Sequence, residues 1–227
     1  MKKRTVLIGA ILSLLPLGQP LLINTGVVLS TTWLVLSFPE KVSARNFDYY
    51  FDLAYEKAEK GNHYGAISDY TKAIELDPKN EVAYYNRGIS KVELRDYYGA
   101  IADYTKAIEI NPLYANAYYN RGYAKDELKD YYGAIADYTK AIELNPNDTE
   151  AYNNRGYAKD ELKDYYGAIA DYTKAIELDP YNADAYKNRS ISKENIGDIE
   201  GACFDAKKSV SLGDTASDNE NWIKDNC

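Results

Sequence analysis

Few residues of the 227-residue chain have the chemistry that catalysis needs, and they lie far apart. There is one histidine, His63, and there are two cysteines, Cys203 and Cys227. A cysteine nucleophile would need His63 as its base, although most of the chain separates them. A metal site needs a cluster of Cys, His or acidic ligands, and the glycines of the repeats have packing explanations rather than forming a phosphate loop. The sequence therefore predicts no enzyme activity, no cofactor and no metal site.

Two pairs of consecutive acids are the other residues with potential chemistry. They are Asp126-Glu127 and Asp160-Glu161. On a helix, consecutive side chains diverge by about 100°, so the two carboxylates of a pair cannot converge on one substrate. We expect these acids to add negative charge to a binding surface rather than to act as a general acid and base.

The elements that position these residues repeat with a period of 34. Five units cover most of the chain: 47–80, 81–114, 115–148, 149–182 and 183–216. The stretch DYYGAIADYTKAIEL occurs at 130–144 and again, unchanged, at 164–178. Within a unit, apolar residues at helical spacing predict two helices, such as Ala83–Leu94 and Tyr97–Ile110. A proline follows the second helix of the first four units and prevents its continuation. The sequence predicts an all-α array of antiparallel helix pairs, closed by a short helix within 217–227.

The units resemble the tetratricopeptide repeat in both length and motif. In the second unit, the family's pattern falls on Tyr84, Gly88, Ala100, Tyr104, Ala107 and Pro112. The resemblance implies a right-handed α-solenoid whose first helices line a concave, peptide-binding groove. It also implies a scaffold that binds other proteins and catalyses nothing.

Charged residues replace two buried positions of that family pattern. Arginine stands where the family has leucine, at 87, 121, 155 and 189, and lysine stands at its second aromatic, at 57, 91, 125, 159 and 193. Aspartates of the second helices, at 69, 103, 137, 171 and 205, are the expected partners of the arginines. We expect a structural ion pair in each repeat, with aliphatic stems buried and charges reaching water.

The resemblance also predicts which side chains face the groove. They form an amide ladder with tyrosines and acids: Asn86, Asn120, Asn154, Asn188, Tyr85, Tyr119, Tyr123, Tyr157, Asp126, Glu127, Asp160 and Glu161. Amides can both donate to and accept from a peptide backbone, and tyrosines add flat apolar contact. The expected partner is a basic or neutral extended segment of another protein. The alternatives are a solvated acidic face that binds nothing, and a structural or assembly factor that self-associates or spaces a membrane anchor from a partner.

Residues 1–44 differ in composition from the repeats and predict export. A basic start, MKKR, precedes an uncharged stretch from Thr5 to Pro39, and the segment ends on the small-x-small sequence Val42-Ser43-Ala44. This pattern predicts either a cleaved signal peptide or an N-terminal membrane anchor formed by residues 5–38. Either one places the repeats in a periplasmic, lumenal or secreted compartment.

Charge and cysteine count add two further expectations. The chain carries a formal net charge of −8 at pH 7 and has no basic stripe, so nucleic acid is excluded as a partner. Both cysteines lie near the carboxyl end, and an even count in an exported protein predicts a disulfide between Cys203 and Cys227. Two unrelated thiols are the alternative.

Overall fold

The computed structural model describes the backbone at residues 32–214 and 217–227 and the side chains at 46–214 and 222–227. Over this part the chain is helical, without a β-strand. The helices are α1 (Thr32–Glu59), α2 (His63–Leu76), α3 (Glu81–Glu93), α4 (Tyr97–Ile110), α5 (Ala115–Glu127), α6 (Tyr131–Leu144), α7 (Thr149–Glu161), α8 (Tyr165–Leu178), α9 (Ala183–Asn195), α10 (Ile199–Ser211) and α11 (Ser217–Asn226). The chain divides into two units, 1–45 and 46–227, of which the second contains the repeats.

Consecutive helices form antiparallel pairs, which confirms the predicted all-α solenoid. The second helix of the second unit has the predicted bounds, Tyr97–Ile110. The first helix begins at Glu81, two residues before the predicted start. The reason is local: the Asn80 side chain accepts a hydrogen bond from the Ala83 N–H and caps the helix there. The second helices begin in the same way, each behind an aspartate or asparagine cap, at 62, 96, 130, 164 and 198.

The core lies between the two helices of each unit and is built from alanine and tyrosine. Ala100, Tyr104 and Ala107 are buried, and their counterparts in the first, third and fourth units repeat the pattern. A glycine allows the tyrosine ring to lie against the first helix. A Cβ at Gly122 would stand 2.9 Å from the Tyr138 ring, closer than carbon atoms can approach. The glycines therefore occupy points of close helix approach, as the spacing predicted.

A buried ion triad links the helices of the second to fifth units. In the third unit, Arg121 Nε and Nη2 donate to Asp137 Oδ2 and Oδ1 at 2.9 and 2.7 Å. Lys125 Nζ approaches the same carboxylate at 2.7 Å. The units containing Asp103, Asp171 and Asp205 have the same arrangement. The predicted ion pairs are confirmed in these four units, and the side chains of Arg121 and Lys125 keep 16% and 21% of their exposure to water. In the first unit the arginine position holds Leu53, and Asp69 pairs with Lys57 and Lys72 instead.

The arginine also connects neighbouring units. Arg121 Nη1 donates to Thr105 Oγ1, in the second helix of the preceding unit, at 3.0 Å. Its guanidinium lies 5.5 Å from the centre of the Tyr118 ring. The same bond recurs at Arg87, Arg155 and Arg189. Because this residue contacts three helices, its replacement of the family's leucine supports both the unit and the stack.

Helix α11 covers the end of the array. A disulfide joins Cys203 in α10 to Cys227, directly after α11. Trp222 Nε1 donates to the Glu194 carboxylate in α9 at 2.8 Å. The last repeat is thereby covered by a short helix, as a solenoid end requires.

The predicted leader or anchor, residues 1–44, lies mainly outside the described residues and stays a prediction. Within the described part, no helix combines the length and the apolar character that a membrane span needs.

Removing one carboxylate of a triad tests its contribution to stability. Asp137→Ala leaves Arg121 and Lys125 without a counter-charge at side chains that are 16% and 21% exposed. We expect a loss of about 3–5 kcal/mol in the free energy of unfolding, measured by urea denaturation. Lys140→Ala, which breaks only the exposed pair with Glu143, is the control and should cost at most about 0.5 kcal/mol. Equal midpoints for the two variants would contradict a structural role of the triad.

Candidate functional site

The asparagines of the predicted ladder lie at equivalent positions of the first helices. Three of them donate a hydrogen bond to a side chain of the preceding unit. Asn120 Nδ2 donates to the Tyr85 hydroxyl at 2.8 Å, and Asn154 Nδ2 donates to the Tyr119 hydroxyl at 2.9 Å. Asn188 reaches Asn153 Oδ1 at 3.4 Å. One N–H of each amide is thus committed to the stack. The carboxamide has a second N–H and an acceptor oxygen, which are the groups relevant to a ligand.

Two of the predicted groove tyrosines lie partly inside the junctions between units. The rings of Tyr85 and Tyr119 pack against Tyr104 and Tyr138, with ring centres 5.8 and 5.7 Å apart. Burial raises the pKa of Tyr119 to about 12. These two tyrosines therefore stabilise the packing between helices. The sequence analysis had expected them only to provide flat contact with a ligand.

Tyr123 and Tyr157 lie nearer the groove surface than these two. Tyr123 is half-buried, and Tyr157 is 42% exposed. The acids Asp126-Glu127 and Asp160-Glu161 follow them on the same helices.

The consecutive acids diverge as predicted. Glu127 and Glu161 are exposed and accept hydrogen bonds from the Tyr97 and Tyr131 hydroxyls, at 2.9 and 3.0 Å. Asp126 is half-buried, and its pKa is raised to about 7. The main cause is its burial, and the negative charges of Glu127 and Glu161 add to it. The two residues of one pair therefore occupy different environments.

Asp160 occupies the position equivalent to Asp126 in the next unit, and both of its carboxylate oxygens accept hydrogen bonds. Tyr172 donates to Asp160 Oδ2 at 3.0 Å, and Ser192 Oγ lies 2.7 and 2.8 Å from the two carboxylate oxygens. Burial raises the pKa of Asp160, and the hydrogen bonds from Ser192 and Tyr172 oppose that change. This carboxylate joins the fourth unit to the fifth.

Two cavities open on the first-helix face at equivalent junctions. The cavity between the fourth and fifth units is about 270 Å³ and is lined by Tyr157, Asp160, Glu161, Tyr165, Tyr172, Asn188, Ile191 and Asn195. The cavity between the first and second units is about 250 Å³ and is lined by Tyr55, Ala58, Glu59, His63, Tyr70, Asn86, Ile89, Ser90 and Glu93. The structure thus brings tyrosines, acids and ladder asparagines together in concave surfaces.

Sequence reasoning missed one column of residues that line the site. Tyr97, Tyr131 and Tyr165 begin the second helices, where they bind the acids of the next unit or line a cavity. The 34-residue register was the available signal. In the first unit the column holds His63, which the sequence analysis considered only as a possible catalytic base. It lines a cavity instead, and its Nδ1 is buried with no hydrogen-bond partner among the described residues.

Metal ligation finds no geometric support in this part of the chain. The described residues contain no group of three or more histidine, cysteine or acidic side chains placed to hold a metal ion.

Stacked helix pairs of constant period, with first helices sharing one face, define a helical-repeat scaffold for protein interaction. Two family models, described as tetratricopeptide repeat and TPR repeat, match residues 82–114, 115–148 and 149–182 and residues 54–94. They span more than half of the 227 residues, and the chain belongs to the tetratricopeptide repeat family. No curated protein sequence matches it significantly.

Solved structures of the same fold include three proteins of interest. MamA is 27% identical, with a TM-score of 0.71 over 74% of this chain and 92% of its own. YrrB, described as a TPR protein with an unusual peptide-binding site, is 25% identical, with a TM-score of 0.69 over 77% and 90%. PilF of Pseudomonas aeruginosa shares the fold at 18% identity, with a TM-score of 0.68 over 81% and 88%.

The raised pKa of Asp126 predicts a pH dependence of stability. Between about pH 4, the pKa range of an unfolded aspartate, and the folded value of about 7, the folded state binds more protons than the unfolded state. The free energy of unfolding therefore falls as pH rises through this window. Asp126→Asn lacks this contribution, so its stability relative to wild type should increase from pH 4 to 7 and then level off. Urea denaturation across this range measures the difference.

Asp160→Asn is the matched control for that series. Its carboxylate accepts two hydroxyl hydrogen bonds, so the substitution should show a weaker increase with pH. Parallel stability curves for wild type and Asp126→Asn would rule out the titration of Asp126 in this range.

Proposed function

We propose that this protein is a non-catalytic adaptor that binds an extended, basic or neutral segment of another protein along the first-helix face. The observation that carries the proposal is the recurrence of one cavity type at two junctions, each lined by tyrosine, acid and a ladder asparagine. A segment running along the array meets the same kinds of groups in successive units. YrrB, with its described peptide-binding site, supports this use of the fold.

The charge of the face supports a basic or neutral segment. The arginines and lysines at the repeated interior positions of the first helices are paired with buried aspartates. Asp126, Glu127, Asp160 and Glu161 therefore have few compensating cations on the groove side. Such a face attracts positively charged segments and repels acidic ones.

An assembly role is the second candidate, and a different surface favours it. Tyrosines at the second position of four second helices are 74–77% exposed: Tyr64, Tyr98, Tyr132 and Tyr166. A row of exposed aromatic rings is a surface on which copies of the chain can associate. Light scattering over a range of concentrations distinguishes the candidates, because self-association raises the mass with concentration, and Tyr98→Ala/Tyr132→Ala should then abolish that rise.

We also propose export, through a cleaved signal or a retained anchor in residues 1–44. The Cys203–Cys227 disulfide supports an oxidising compartment, where such bonds persist. Sequencing the mature amino terminus and counting free thiols on protein purified from its source tests this. A reduced protein that retains Met1 in a cytoplasmic fraction would refute it.

Groove binding is tested with peptides selected from a display library of random short segments. We expect the selected peptides to be enriched in lysine and arginine and to bind less tightly as salt increases. Glu127→Gln/Glu161→Gln should weaken binding by about threefold to tenfold, since it removes two exposed charges without disturbing the core. Fluorescence anisotropy measures the affinity.

Two further variants complete that experiment. Asn120→Ala/Asn154→Ala removes the ladder amides and should weaken binding of every selected peptide; its melting temperature is measured alongside, because it also removes bonds between units. Tyr132→Ala, on the second helix, is the control and should bind as wild type does. Peptides that bind all variants equally, independently of salt, would refute the groove.

A further inference from the structure

Three positions determine the polar chemistry at each junction between units. They are a core tyrosine of a second helix, a residue near the end of the first helix of the same unit, and a residue of the next first helix. From the first junction to the fourth, these triplets are Tyr70, Ala58 and Ser90; Tyr104, Val92 and Ala124; Tyr138, Asp126 and Ala158; and Tyr172, Asp160 and Ser192. Only the third and fourth contain a carboxylate.

At the fourth junction, the Asp160 carboxylate lines the cavity described above and is already hydrogen-bonded. Tyr172 and Ser192 both donate to Asp160, so the buried carboxylate has its hydrogen bonds from within the protein. A charged group in this location needs such donors, because an unpaired buried oxygen loses its water without compensation.

The third junction has the same carboxylate without its donors. Ala158 occupies the position of Ser192 and is fully buried. Among the described residues, Asp126 Oδ1 and the Tyr138 hydroxyl are both buried and have no hydrogen-bond partner. Tyr138 is 0% exposed, and the nearby Asn154 donates to the Tyr119 hydroxyl at 2.9 Å. Two oxygens at this junction, one of them on a fully buried side chain, thus lack a hydrogen-bond partner among the described residues.

The surroundings determine which donor fits. Glu127 and Glu161 raise the pKa of Asp126, so they are close enough to favour a positive charge beside it. Each of these glutamates already accepts a tyrosine hydroxyl. An ammonium or guanidinium group brings several N–H donors and a charge, and so satisfies both Asp126 Oδ1 and the Tyr138 oxygen.

We propose that the junction between the third and fourth units is a subsite for one cationic side chain, lysine or arginine, of the bound segment. Asp126 accepts its charged N–H group, and Tyr138 accepts a second hydrogen bond. The subsite rests on the proposed groove function and gives it a fixed register. The other junctions lack it, because Ser192 satisfies the carboxylate of one, and the others have no carboxylate at the position of Asp126.

The chain provides the substitution that tests this. Ala158→Ser copies the donor of the fourth junction into the third without changing the charge of the protein. The probe is a fluorescent, acetylated oligolysine peptide, titrated with the full-length chain by anisotropy. We expect Ala158→Ser and Asp126→Asn each to weaken binding about tenfold, the effect of losing a charged hydrogen bond. Ser192→Ala, which removes that donor from the fourth junction, should bind at least as tightly as wild type.

Because Ala158→Ser does not change the charge of the protein, it separates binding at the subsite from general electrostatic attraction. Oligolysine is drawn to any acidic surface, but Ala158→Ser leaves that attraction unchanged. If wild type, Ala158→Ser and Asp126→Asn bind equally while Glu127→Gln/Glu161→Gln binds more weakly, the subsite is refuted and the groove stands. A peptide of acetylated lysines should not bind; equal affinity for it would refute the subsite as well.

A small cation tests the subsite even if no peptide binds. Butylammonium chloride is titrated against carboxyl-labelled protein, and the ¹³C signal of Asp126 is followed by NMR. A saturable shift in wild type that is absent in Ala158→Ser supports the subsite, even where failure of oligolysine binding has refuted the groove. An unmoved signal overturns the proposal and leaves a buried water as the occupant of the junction.

Discussion

The buried carboxylate of each second helix is the group on which the stack depends. Asp103, Asp137, Asp171 and Asp205 are nearly inaccessible to solvent, and each holds an arginine and a lysine of the first helix. Removing any carboxylate from water is costly, and the attraction to two cations offsets that cost only where the geometry is good. The bidentate arginine bonds meet this condition, so the helices of a unit are fixed in one relative position.

That interior pairing also determines the chemistry of the groove. Because the cations of the first helices point into the units, the opposite face is left with acids, amides and tyrosine hydroxyls. The arginine's bond to a threonine of the preceding unit keeps neighbouring first helices in register, and only then do Asn120 and Tyr85 meet across the junction. The surface available to a ligand is therefore a consequence of the buried ions.

Much of this arrangement is local and could be predicted. Helix bounds follow from caps and prolines within each unit, and the arginine–aspartate pairs join residues on the two helices of a single unit. The amide–tyrosine bonds could not be predicted, because they join residues 35 apart whose distance depends on the rise and rotation between units. The environments of His63 and of the second-helix tyrosines could not be predicted for the same reason, since they depend on the geometry between units. Their register was visible, but the cavity they line is formed by the next unit.

Repetition itself explains why a single junction stands apart. The sequence from Asn120 to Leu144 is identical to that from Asn154 to Leu178, so Asp126 and Asp160 have identical neighbours within their own units. Their environments differ because the third contact comes from the following unit, where Ala158 faces one carboxylate and Ser192 the other. A groove built from identical units offers an extended segment several equivalent registers. One methyl in place of a hydroxymethyl group removes that equivalence: among the described residues Asp126 Oδ1 is buried without a hydrogen-bond partner, whereas Asp160 accepts hydrogen bonds from Ser192 and Tyr172.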